Sequence, residues 1–137
     1  MSRGNLSITA ATLMCAALVS ACAFDVVHLT QTPAVLEPVA VEPTRYLLNQ
    51  ELEVNLGTGY SRKLRAGTRW EAVGSIEQGE VLKTRDQILT VEASNVYEAY
   101  IVVSNHELVG FYLPVERTYS PLSKSHEIQL ETIDPHE

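Results

Sequence analysis

The chain predicts an all-β body, and three observations carry that expectation. Between residues 46 and 122 apolar residues recur with a period near two, and turn-forming residues separate the runs. No stretch holds a helical period over eleven residues. A single sheet of so few strands leaves unpaired edges and buries little, so closure into a small barrel is expected. The composition fits one globular domain, with 137 residues, 45% hydrophobic and 20% charged. Ten Lys plus Arg against 17 Asp plus Glu give a net charge of -7, so no nucleic-acid partner is expected. Two Cys are too few for a disulfide-dense scaffold or a zinc ribbon.

Residues 1–22 read as an export address. Arg3 charges a short start, Ile8 to Val19 is an apolar run of 12 residues, and the small Ser20 and Ala21 precede Cys22. A helix crossing a bilayer needs about 20 residues, so this run is not a permanent span. Val19-Ser20-Ala21-Cys22 resembles the bacterial lipobox. The resemblance implies cleavage after Ala21, diacylglycerol on the Cys22 thiol and a further acyl chain on its amine. Membrane lipid is then a partner through acylated Cys22, and this covalent lipid is the only prosthetic addition expected. Each buried CH₂ contributes about 0.8 kcal/mol, so several chains anchor stably where one does not. Ala23, rather than Asp, after the Cys implies the periplasmic face of the outer membrane. Ala21-Cys22-Ala23 also fits the A-x-A pattern, which would release a soluble periplasmic protein beginning at Phe24. Cleavage after Ala21 removes Cys15 and Arg3, leaving a net charge of -8.

Residues 22–45 follow as the lipidated Cys and a tether. Pro33, Pro38 and Pro43 stand five residues apart, and proline fixes φ and biases the residue before it to extended backbone. A semi-rigid stalk is expected, with an edge strand as the competing reading; some 20 residues at about 3.1 Å each would reach roughly 60 Å from the membrane. The body, 46–122, comes next. Glu51 to Leu56 alternates polar and apolar, and Gly57-Thr58-Gly59 turns the chain. Trp70 to Val73, Val81 to Thr84 and Ile88 to Val91 read as short strands. Val96 to Val103 reads as one strand, Ser104 to Glu107 as a tight connection and Leu108 to Leu113 as its hairpin partner, with Pro114 stopping the ladder. The acidic tail, 123–137, holds a weak alternation at Ile128, Leu130 and Thr132, compatible with an edge strand or with disorder.

Leu64-Arg65-Ala66-Gly67, Trp70, Val73-Gly74-Ser75-Ile76 and Gly79-Glu80-Val81 resemble the opening of bacterial SH3-like domains. Ala99 to Val103 followed by Val109 to Leu113 is similar to their closing hairpin. The likeness covers residues 62–113 and implies a small SH3-like barrel that binds a ligand. Thr68 stands where that family usually has Pro, and the stretch from Thr84 to Glu98 is longer than its usual linker.

Arg62, Lys63, Arg65 and Arg69 are the one concentration of cations in an acidic chain. On a loop rim they would meet an acidic partner, such as peptidoglycan carboxylates or an envelope protein, with a plain solvated loop as the competing reading. Trp70 and Tyr100 are candidates for the same surface, as in SH3-type grooves, with a place in the core as the alternative for Trp70; alternation puts Tyr97 and Tyr100 on opposite faces, so one of them is expected at a rim. His28, His106, His126 and His136 lack metal-ligand spacing, and neither a G-x-S-x-G nor an S-x-x-K occurs, so neither a metal nor a catalytic site is expected. The expectation is a non-catalytic binding module, with an accessory subunit of a multi-protein envelope complex as the alternative.

Overall fold

Neighbouring apolar residues such as Val81-Leu82, Ile101-Val102 and Phe111-Tyr112 point to opposite faces of a strand, and all six are buried. The strands carrying them must therefore be covered on both faces. The computed structural model describes residues 27–136 and shows how this is done. The leader, with the cleavage position Ala21 and the lipid-attachment position Cys22, lies outside the described residues.

The described chain is all-β. Its strands are β1 (Thr32–Pro33), β2 (Glu37–Pro38), β3 (Arg45–Leu48), β4 (Leu52–Asn55), β5 (Ser61–Leu64), β6 (Arg69–Ile76), β7 (Gly79–Thr84), β8 (Thr90–Glu92), β9 (Val96–Glu98), β10 (Tyr100–Ser104), β11 (Glu107–Leu113), β12 (Thr118–Glu127) and β13 (Leu130–Ile133). The main sheet runs β1-β12-β11-β10-β7-β6-β3-β13, with β2 on β6; β4-β5 and β8-β9 form two separate hairpins. No ladder closes the path into a barrel among the described residues.

Short connections bend this open path back on itself twice. Strand β12 runs into β13, at the far end of the order, through Ile128 and Gln129 alone. The Ile128 N–H donates to His106 O at 3.0 Å, and Gln129 O accepts from Asn49 N at 2.9 Å. Two residues span less than about 11 Å between flanking Cα atoms, so the sheet must curl. The curl encloses the larger core, built on Leu48, Trp70, Leu82, Ile101, Phe111 and Leu113, which the two hairpins cap with Val54, Leu64, Leu89 and Val91.

On the other face, β1 on the β12 edge and β2 on the β6 edge are joined by Ala34 to Leu36 alone. Ala34 and Leu36 pack on a second core of Ile76, Val81, Val102, Tyr112 and Tyr119. A bulge at Val73 inserts one extra residue between the Ala72–Leu82 and Gly74–Val81 pairs. It re-aims β6, so Trp70 and Ala72 serve the first core and Ile76 the second.

The proline-spaced segment thus departs from the free stalk. From Leu29 to Val39 it lies on the body as a strap, with the backbone bonds Ala34 N–H to Arg117 O (3.1 Å) and Val39 N–H to Val73 O (3.3 Å). Its small apolar side chains cover a face that would otherwise meet water, and its prolines sit where a short edge pairing tolerates them. The acidic tail is ordered in the same way, since β12 crosses the expected boundary at 122 and β13 pairs with β3. The long strand expected over Val96 to Val103 is two strands. It breaks at buried Ala99, whose N–H bonds Leu89 O at 2.9 Å, and its halves join different sheets. The β10–β11 hairpin is as expected: Asn105 and His106 take φ of 51° and 63°, the two left-handed residues of a type I′ turn.

Candidate functional site

The four clustered cations fall on β5, on the turn after it and on the first residue of β6, and the structure divides them in two. Arg62 is used internally. Its Nε donates to Thr90 O at 2.7 Å, one Nη donates to Thr90 Oγ1 at 3.3 Å, and the same Nη pairs with the Glu92 carboxylate. Arg62 therefore ties hairpin β4–β5 to hairpin β8–β9. Arg69 is also engaged, with Nη2 and Nε 2.8 and 3.2 Å from Asp86 Oδ1 and its own N–H 2.6 Å from Asp86 Oδ2. The Arg69 side chain, then its backbone N–H, holds the Asp86 carboxyl below the ordinary range. Lys63 and Arg65 are exposed, and neither forms an ion pair with another described residue.

The aromatics divide as well. Trp70 is 1% exposed and its Nε1 donates to Thr68 Oγ1 at 3.0 Å. Of the two readings of Trp70 the structure shows the core one, since the buried indole packs in the larger core and presents no surface to a partner. Tyr100 packs half-buried on the opposite core, 6.4 Å between ring centroids from Tyr112, with the Lys83 ammonium 5.6 Å above its ring. Trp70 and Tyr100 therefore cannot share a groove with the cations. Lys83, which reaches Tyr100 from β7, was not singled out from the sequence because only the strand pairing brings it there.

Tyr46 on β3 donates its hydroxyl to Glu80 Oε1 at 3.0 Å. Burial first, then the bond to Glu80 and its charge, push the phenol up to about 12. This ties β3 to the start of β7 and offers no base at neutral pH. No group of three or more His, Cys, Asp or Glu is arranged to hold a metal among the described residues.

A different surface stands out at the tips of the two hairpins. Thr58 in the β4–β5 turn donates through Oγ1 to Glu92 O at 2.7 Å, and Ser94 N–H in the β8–β9 turn donates to Val27 O at 3.0 Å. Two adjoining clefts of about 300 and 490 Å³ open there, lined by residues within 27–30, 56–60, 93–94 and 120–123. Tyr60, Val96 and Val27 are 47%, 67% and 38% exposed.

Comparison with known proteins gives no relative. No protein-family model, curated protein or solved structure matches this chain. The assignment of Arg62 therefore rests on its own geometry, and it is testable. Replacing Arg62 by Met should cost about 1–2 kcal/mol in urea unfolding, since Thr90 O and Glu92 lose a charged donor. A double-mutant cycle with Glu92→Gln should return a coupling near 1 kcal/mol, and zero coupling would return Arg62 to the surface as a free cation.

Proposed function

We propose that the chain is a bacterial envelope lipoprotein, acylated at Cys22 and held at the periplasmic face of the outer membrane. Its body is a non-catalytic module that binds peptidoglycan or an envelope protein. The observation that carries this reading is Val19-Ser20-Ala21-Cys22 placed directly after a charged start and a 12-residue apolar run. Small residues let the backbone enter a signal peptidase, and the thiol is the atom that takes the lipid.

The SH3-like reading of the body draws support from where the resembling blocks fall. Val73 to Ile76, Gly79 to Val81, Ala99 to Val103 and Val109 to Leu113 lie on β6, β7, β10 with the residue before it, and β11, which are consecutive neighbours in the main sheet. Lys63 and Arg65 are the members of the cation cluster left to meet an acidic ligand such as peptidoglycan carboxylates.

Globomycin added during labelling with a radioactive fatty acid should cause an unprocessed, lipidated precursor to accumulate. Cys22→Ala should remove the label and shift the protein out of the membrane fraction. Unchanged membrane partition of Cys22→Ala would overturn the anchor. For the body, retention on isolated sacculi that falls in the Lys63→Glu, Arg65→Glu double variant is the expected result.

A further inference from the structure

We infer that the tips of hairpins β4–β5 and β8–β9, together with Val27, form a surface that lies against the bilayer to which Cys22 is anchored. The inference rests on the acylation of Cys22 proposed above and adds which face of the body meets the lipid.

The first support is reach. Val27 is fastened to the β8–β9 turn through the Ser94 N–H, at 3.0 Å. Val27 is five residues after Cys22, so their Cα atoms are at most about 18 Å apart. A stalk of some 20 residues would have left the body free to stand well off the membrane. With the strap docked from Leu29 onward, the body cannot leave, and the end bearing Val27 stays within that distance of the acylated Cys.

The second support is charge. Of the whole chain 20% is Asp, Glu, Lys or Arg, yet not one residue lining the two clefts at this end is charged in that sense. The chain as a whole is acidic, with a net charge of -7, so most of its surface would be repelled by anionic headgroups. The nearest ions, Arg62 and Glu92, are paired with each other, so the cleft lining can approach a bilayer without desolvating an unpaired ion.

The third support is side-chain type. Tyr60, in the β4–β5 turn, and Val96, the first residue of β9, are 47% and 67% exposed. A tyrosine presents an apolar ring and a polar hydroxyl, the combination that settles at the headgroup level, and a valine adds a small apolar contact beside it.

The test uses the full-length, acylated protein reconstituted in vesicles of phosphatidylethanolamine and phosphatidylglycerol. Nitroxide labels are placed one at a time on Val96→Cys, Tyr60→Cys and Ala66→Cys. All three positions are exposed, and Ala66 lies beyond the opposite end of β5 from Tyr60. The ratio of collisions with oxygen to collisions with a water-soluble nickel chelate should be several-fold higher at 96 and 60 than at 66. The mass of the N-terminal peptide is measured on the same material. Acylated Cys22 with three equal, water-like ratios overturns this surface and leaves the lipoprotein reading intact. A Cys22 without lipid overturns both.

Discussion

Trp70→Ala should lower stability by about 3–5 kcal/mol, the cost of removing a large aromatic from a packed centre. The indole is 1% exposed and stands among Leu48, Ala72, Leu82 and Phe111 in the larger core. Removing it leaves a cavity lined by strands that the β12–β13 connection holds in place, so the walls cannot collapse freely. Trp70→Phe should cost less, because most of the ring volume is kept and the lost bond to Thr68 Oγ1 lies near the surface. A domain of this size has a total stability of about 5–15 kcal/mol, so the alanine variant should unfold at much lower urea with an unchanged slope. If Trp70 were instead a ligand contact, ligand affinity would fall and the unfolding midpoint would stay where it was. The two outcomes separate the core role from the groove role that the resemblance to SH3-like domains implies.

That contrast shows which parts of the chain could be read in advance. The β10–β11 hairpin was legible because Asn105 suits left-handed backbone and the flanking residues are β-branched or aromatic on both sides. Strand β6 was legible from its alternation, although its length was not, because the bulge at Val73 changes which face looks inward. Strand β5, Ser-Arg-Lys-Leu, buries only Leu64 and gives no apolar signal. Strand β12 contains Pro121 and a polar run, and only its pairing to β11 identifies it. The cation cluster was legible as composition but not as chemistry. Glu92 and Asp86, which occupy Arg62 and Arg69, are 30 and 17 residues away in sequence. The uncharged end was invisible because its four segments are scattered from residue 27 to residue 123 and only the fold gathers them.

The strap carries the second large effect. Gly74→Ala should release it, because the added Cβ would overlap Glu37 O and stand 3.0 Å from Leu36 Cδ1. Overpacking of this kind costs about 1–3 kcal/mol. The main-sheet strands β10 and β11 do not depend on the strap for hydrogen bonds, so the cost should appear as local opening rather than global unfolding. At about 1.4 kcal/mol per tenfold, amide exchange at Ala34 and Val39 should quicken by about ten- to a hundredfold. Ile101 and Phe111 amides should be slowed nearly as in the native protein. Wild-type amides at Ala34 and Val39 that exchange at free-peptide rates would instead restore the stalk. The distinction reaches beyond stability, since Ala34 and Leu36 shield Tyr112 and Tyr119 from water while the same backbone joins the body to position 22. Opening at Leu36 to Val39 uncovers that face, while the attachments nearer position 22, at Val27, Leu29 and β1, stay in place. Gly74, which carries no side chain, is therefore the position whose size decides whether the strap closes over the second core.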